Sequence, residues 1–378
     1  MIRTELEEIR DKYGEERKTE ISAQEAENKN LLDLIADEDC LVTISHRGYI
    51  KRLPMDTFSA QHRGGKGVKG SATREEDFTE HFFTAKTHDY LLCFTNQGQL
   101  YWLRVVEIPE GSRTSMGRAM PQVLSLRPEE KITSVIPVRE LDVSDQFLIM
   151  ATRKGRIKKT VLSAYRNVRV GGIIGISLDE DDQLVNVALV KEDDEVMLCT
   201  KEGLAIRFSH QDARAQGRTA QGVKGITLKP EDEVVGMVVA DPEGYLLSVC
   251  ENGYGKRTAF GPNQKGQSES EDLNSSKYYR TQRRGGKGIV DIKTTARNGK
   301  VVGVIPLREG DDVMIITSNG MVNRTHAREI SVVGRNTQGV RVMNVNEGDK
   351  VAVISPVVPE EDLNIEGDEQ PQTVPENE

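Results

Sequence analysis

Large aromatic side chains are scarce in these 378 residues, at 5% of the chain with a single tryptophan, which suits many short half-exposed strands better than a thick helical core. No run of 18 or more apolar residues occurs, and the charged start Met1-Ile2-Arg3-Thr4-Glu5 resembles no signal peptide. A soluble, cytoplasmic protein is therefore expected. The four cysteines, Cys40, Cys93, Cys199 and Cys250, lack C-x-x-C spacing, and three of them lie in apolar runs. That pattern points to buried thiols in a reducing compartment rather than to metal ligands. The six histidines are equally scattered, so no metal site is expected. There is no G-x-x-x-x-G-K-[ST] phosphate loop, no nucleophile beside an evident base and no carboxylate pair in a recognisable setting. No catalytic residue is assigned, and no cofactor.

The net charge of −9 hides an uneven distribution. Residues 1–39 hold 6 basic and 13 acidic side chains and residues 357–378 hold none and 8, which leaves a body of net +6. Leu6, Ile9 and Tyr13 stand at helical spacing in the charged segment 1–21, residues 22–30 read as a polar linker, and the acidic tail 357–378 is expected to be disordered.

What is present in abundance is repetition. Six times between residues 31 and 356 an apolar strand runs into a polar pair and a glycine: Gly48, Gly98, Gly155, Gly203, Gly253 and Gly320, spaced 50, 57, 48, 50 and 67 residues apart. Each polar pair with its glycine makes a hairpin turn, the glycine supplying a positive φ. Apolar hairpins at fixed intervals argue for an all-β fold of six radial blades, with a parallel solenoid as the runner-up. A second landmark is the heptapeptide Gln282-Arg283-Arg284-Gly285-Gly286-Lys287-Gly288 and its near copy Gln61-His62-Arg63-Gly64-Gly65-Lys66-Gly67. Related elements are Gly172-Ile173-Ile174-Gly175, Gly222-Val223-Lys224-Gly225 and Gly339-Val340-Arg341-Val342, and a polar insert from Pro262 to Lys277 delays the element in the fifth unit. Glycines that allow close backbone approach, flanked by bases, suit an anion. Acidic clusters such as Asp179–Asp182 and Glu231–Glu233 read as solvated turns.

Four residues past each hairpin glycine stand Arg52, Trp102, Lys159, Arg207, Arg257 and Arg324, with Lys51, Lys158 and Lys256 one position earlier. A fixed offset places these bases at equivalent points on successive blades, as a basic ring on the rim. Together with Lys224, Arg341 and the two heptapeptides they are the candidate DNA-binding residues. A curved basic rim matches duplex DNA held through its phosphates, and sparse aromatics disfavour a single-strand stacking platform.

Gln-x-Arg-Gly-Gly-Lys-Gly within six such units resembles the signature box of the C-terminal DNA-wrapping domains of DNA gyrase A. Segments such as Thr43-Ile44-Ser45-His46-Arg47-Gly48-Tyr49 and Asn252-Gly253-Tyr254-Gly255-Lys256-Arg257-Thr258 are similar to that family as well. The resemblance implies a six-bladed β-pinwheel that exchanges strands between blades and wraps duplex DNA with a positive sense, so that the enzyme introduces negative supercoils. Residues 1–21 resemble the exit helix of a cleavage domain absent here. The implied partners are that cleavage domain of gyrase A and, through it, gyrase B; ATP and magnesium would be needed only there. A free-standing architectural DNA-binding protein and a topoisomerase IV-type domain are the alternatives.

Overall fold

The computed structural model describes residues 2–14, 35–45, 47–54, 79–112, 115–167, 169, 171–262 and 276–357. The heptapeptide Gln61–Gly67, the linker 22–30 and all but the first residue of the 357–378 tail lie outside them. The chain divides into Met1–Asp37 and Glu38–Glu378. In the first unit Ile2–Tyr13 form the helix α1, which carries Leu6, Ile9 and Tyr13 on one stripe and buries none of its residues.

The second unit is built from six repeats. In chain order they contribute β1 (Asp39–Ser45), β2 (Tyr49–Pro54) and β3 (Thr79–Lys86); β4 (Tyr90–Thr95), β5 (Gln99–Arg104), β6 (Arg118–Ala119) and β7 (Ile132–Val138); β8 (Phe147–Thr152), β9 (Arg156–Val161), β10 (Ile173–Ile174) and β11 (Leu184–Val190). The later repeats contribute β12 (Glu195–Thr200), β13 (Leu204–Ser209), β14 (Val223–Lys224) and β15 (Val234–Val239); β16 (Tyr245–Cys250), β17 (Tyr254–Ala259), β18 (Ile289–Val290) and β19 (Val301–Leu307); and β20 (Asp312–Thr317), β21 (Val322–His326), β22 (Val340–Arg341) and β23 (Val351–Val357).

The first two strands of every repeat form an antiparallel hairpin whose glycine takes a positive φ, from 75° to 82° across Gly48, Gly98, Gly155, Gly203, Gly253 and Gly320. The long last strand of the repeat pairs on the inner side, in the orders β3-β1-β2, β7-β4-β5 and so on. The outer side is completed by the next repeat: β6 joins β2, β10 joins β5, β14 joins β9, β18 joins β13 and β22 joins β17. In the sixth blade β21 has no such partner among the described residues. The architecture is the six-bladed all-β fold expected from the hairpin glycines, with the exchange of strands between blades that the family resemblance implies.

Period-two alternation explains why both faces of each hairpin are apolar. Leu148 and Met150 of β8 pack with the second blade, while Ile149 and Ala151 pack with the fourth. Val196 and Leu198 of β12 likewise face back and Met197 and Cys199 forward. Every core is thus shared by two blades, and burial of such side chains contributes about 1.5–3 kcal/mol each. All four thiols are buried in these interfaces, and burial pushes Cys93 up to about 12.

Candidate nucleic-acid interface

The structure places most of the expected basic ring inside the protein. Lys158 and Lys256 are fully enclosed, Arg207 is 1% exposed, Lys51, Arg257 and Lys159 are buried, and Arg52 is half-buried. Arg324 alone is exposed, and it pairs with Asp312 at 2.6 Å. The shared offset has a structural cause. The second hairpin strand is covered by the incoming segment of the next repeat, and most of these bases donate to carbonyls of that segment. Lys51 Nζ reaches the carbonyls of Ser112 (3.1 Å) and Ser115 (2.8 Å), and Arg52 Nε that of Ile108 (2.9 Å). Lys158 holds the carbonyl of Arg218 and, within its own repeat, that of Gly175. Arg207 donates to Phe260 (2.6 Å) and Tyr279 (3.1 Å) and pairs with Glu195 at 2.6 Å; Arg257 donates to Ile330 (2.8 Å). Lys159 lies 4.3 Å over the Phe147 ring.

A buried charge is tolerated only when paired or well solvated by dipoles, and each case meets that need differently. Lys256 Nζ contacts Asp291 Oδ1 at 2.9 Å, while Tyr279 and Ser248 donate their hydroxyls to the same carboxylate at 2.6 Å each. Lys158 finds only carbonyls, and burial, reinforced by the Arg218 guanidinium, lowers it to about 7.

The glycine heptapeptide also takes a different register from the one expected. The N–H groups of Gly111, Gln216, Gln282 and Val333 donate to the carbonyls of Arg52, Lys159, Arg207 and Arg257 at 2.9, 2.8, 2.7 and 2.9 Å. Six residues after each stands a positive-φ glycine that opens the exchanged strand: Gly117, Gly222, Gly288 and Gly339. The counterpart of Arg284-Gly285-Gly286-Lys287-Gly288 is therefore Arg218-Thr219-Ala220-Gln221-Gly222, and in the sixth repeat Arg335-Asn336-Thr337-Gln338-Gly339. Gly222-Val223-Lys224-Gly225 and Gly339-Val340-Arg341-Val342 belong three residues later, starting at the position of Gly288. The last glycine of the box is the one held by strand register, and the insert in the fifth repeat hid this. In spacing, Gly67 follows Gly48 by 19 residues, as Gly117 follows Gly98, Gly222 follows Gly203 and Gly339 follows Gly320.

Two amides of the box are already engaged, so they do not wait for an anion. Gly285 N donates to Gly225 O at 2.7 Å, and Gly286 N to Arg283 O at 3.4 Å. Arg284 Nε holds Asp212 O at 3.1 Å, and its Nη1 holds Lys224 O. At Gly288 the need for glycine is steric: φ is +76°, and a Cβ would stand 2.7 Å from Ala205 O.

What the box turns outward is charge. Arg283 and Lys287 are exposed, and Lys224 runs beside the box, its Cδ 3.9 Å from where a Cβ on Gly285 would stand. Gln282 is half-buried. Arg341 is exposed on the outermost strand β22. Sequence reasoning missed Arg118 on β6, and it missed Arg214 and Arg280, each exposed two residues ahead of its heptapeptide. Their equal position was a usable signal once the heptapeptides were aligned. Among the described residues, Arg118, Arg214, Lys224, Arg280, Arg283 and Lys287 make no ion pair or side-chain hydrogen bond. They line the blade edges formed by exchanged strands and the turns leading into them. The expected bases at Arg63 and Lys66 lie outside the described residues.

Comparison with known proteins follows the same repeats. The family described as DNA gyrase C-terminal domain, beta-propeller, matches residues 41–86, 89–139, 146–191, 194–241, 279–308 and 311–357. The chain is 43% identical over 371 residues to the DNA gyrase A protein of Salmonella typhimurium (strain LT2), covering 97% of this chain and 40% of that protein. It is 40% identical over 379 residues to the DNA gyrase A protein of Staphylococcus aureus (strain MRSA252), covering 100% of this chain and 41% of that protein. It thus spans about two-fifths of the length of these curated relatives. A solved DNA gyrase A C-terminal domain aligns with a TM-score of 0.63 at 27% identity, over 85% of this chain and 100% of that one. The C-terminal domain of DNA topoisomerase IV aligns with a TM-score of 0.70 at 24% identity, over 85% and 94%, a likeness of fold.

Proposed function

We propose, from the premise that the chain belongs to the DNA gyrase C-terminal beta-propeller family, that it holds duplex DNA along the outer blade edges and bends it through phosphate contacts. The observation that carries this reading is the row of exposed bases without partners among the described residues: Arg118, Arg214, Lys224, Arg280, Arg283 and Lys287. The enclosed bases Lys51, Lys158, Lys159, Arg207, Lys256 and Arg257 act one step removed, fixing the turns that present that row. Bending stiff duplex costs several kcal/mol, and contacts repeated from blade to blade offset it. Contacts to phosphates alone give little base preference. The heptapeptide Gln61–Gly67 enters the proposal on its sequence, with Arg63 and Lys66 as phosphate ligands.

Within a longer gyrase A protein the wrap would set the sense in which a second DNA segment is presented for passage, and so favour negative supercoiling. On this proposal the chain itself is non-catalytic. Cleavage, and any use of ATP and magnesium, would lie with the cleavage domain and with gyrase B.

Counterion release tests the binding step. With these eight bases on phosphates, the logarithm of the association constant for linear duplex should fall against the logarithm of salt with a slope near about −7. The double variant Arg283→Ala, Lys287→Ala should flatten it by about 2. A wild-type affinity indifferent to salt would contradict the proposal.

A further inference from the structure

On the fifth blade two arginines converge on one tyrosine. Tyr254, which follows the hairpin glycine, is 6% exposed, and the strand register sets it opposite Arg341 of β22. Arg341 Nη2 donates to the phenol oxygen at 2.9 Å and Arg297 Nε at 3.2 Å. The two guanidinium carbons lie 5.3 and 5.0 Å from the ring centroid. Both arginines are exposed, and among the described residues neither pairs with a carboxylate. Arg341 Nη1 donates to the neutral Asn344 Oδ1 at 3.1 Å. The carboxylate bordering the turn, Glu251, is held by the Lys300 N–H at 3.1 Å and by Lys350 at 3.4 Å.

The mount is rigid. Asn298 is fully buried; its side-chain oxygen accepts from Thr295 N (2.8 Å) and Oγ1 (2.9 Å), and its Nδ2 donates to Lys293 O (2.9 Å) and Gln338 O (3.2 Å). Asn252 Nδ2 donates to the carbonyls of Ala296 and Arg297 at 3.2 and 3.1 Å. Other blades fill this place with acid. Asp182, Asp232 and Asp349 accept the N–H of Lys154, Glu202 and Asn319, the residues just ahead of their hairpin glycines, and Asn252 instead donates its N–H to Asn298 O at 3.0 Å. Asp179 in the third blade also neutralises Arg156, the counterpart of Tyr254, at 2.5 Å. The fifth blade has exchanged the acidic turn for Arg297-Asn298.

Two like charges held within hydrogen-bond reach of one oxygen repel each other unless an anion joins them. We propose that Arg297, Tyr254 and Arg341 form a preorganised seat for one DNA phosphate, separate from the glycine heptapeptides. The stacked phenol fixes both guanidiniums and leaves their remaining N–H groups facing solvent. The hydrogen bonds from Arg341 and Arg297 lower the Tyr254 phenol, as a positive pocket should.

This rests on the DNA-binding reading above, and the test separates the two. Duplex affinity would be measured across a salt series for the wild-type chain, Arg297→Ala, Arg341→Ala, the double variant and Tyr254→Phe, with circular dichroism to verify folding. Because both arginines serve one phosphate, each single variant and the double should lose a similar, several-fold affinity, and the salt slope should fall by about 1 rather than 2. Tyr254→Phe, which keeps the ring but not the acceptor, should lose a smaller part. Variants that match a DNA-binding wild type in affinity and slope would overturn the seat alone. A wild-type chain without salt-dependent duplex binding would overturn both.

Discussion

Lys256 offers a sharp separation between a rim contact and an internal staple. Replacing Asp291 by Ala removes the acceptor of Lys256 Nζ (2.9 Å), Tyr279 OH (2.6 Å) and Ser248 Oγ (2.6 Å), three donors that are all buried. An ammonium left unpaired in that setting costs about 3–5 kcal/mol, and each stranded hydroxyl has a cost of its own, so Asp291→Ala should lose about 4 kcal/mol or more. Lys256→Met leaves the carboxylate with two hydroxyl donors and should cost a similar or smaller amount. The double variant Lys256→Met, Asp291→Asn removes both charges and keeps an acceptor for Tyr279 and Ser248. It should return to within about 1–2 kcal/mol of wild type, a strong non-additivity. Urea unfolding followed by circular dichroism measures all three, and duplex affinity at fixed salt should change less than about twofold in any variant that remains folded. If Lys256→Met instead kept full stability and lost one unit of salt slope, Lys256 would be a phosphate ligand and the buried network would be wrong.

Other consequences follow from single positions. Lys158 releases its proton near pH 7 in the folded chain, against 10.5 ordinarily, so between those values the unfolded chain binds more protons and stability should rise with pH. One such group contributes up to about 1.4 kcal/mol per pH unit, and Lys158→Met should remove that part of the slope in unfolding measured from pH 7 to 10. Gly288→Ala, at φ +76° with Ala205 O in the way, should cost about 1–3 kcal/mol or more in thermal unfolding. Gly286→Ala in the same box meets nothing closer than 3.4 Å and should stay within about 0.5 kcal/mol.

The hairpins were legible because their signals are local. A glycine with positive φ after a polar pair, and an apolar run before it, need no knowledge of distant chain. Even the two-sided apolarity of strands such as Val196–Cys199 was visible, although its meaning, one face for each neighbouring blade, required the ring. The basic ring was misread because exposure of the second hairpin strand depends on a segment 53 to 73 residues downstream that covers it. Arg207 looks like a rim base until Tyr279 and Glu195 close around it. The box register failed for a related reason. Gly285–Gly288 and Gly222–Gly225 look alike by composition, but pairing of β18 and β14 fixes the final glycine of one against the first glycine of the other. Arg297 was invisible because its significance is a contrast with Asp181 and Glu231, which precede the buried acids of other blades.

The proposed bent path of duplex DNA along the exposed bases of the outer edges can be read from the writhe it traps. The chain would be bound to relaxed closed-circular plasmid, the free supercoils removed by a type I topoisomerase, and the linking number read after removal of protein. A shift of one sign, positive as the resemblance to gyrase C-terminal domains implies, should grow with bound chain. It should fall for Arg283→Ala, Lys287→Ala by more than binding falls. Saturated binding with an unchanged linking number would rule out a bent path.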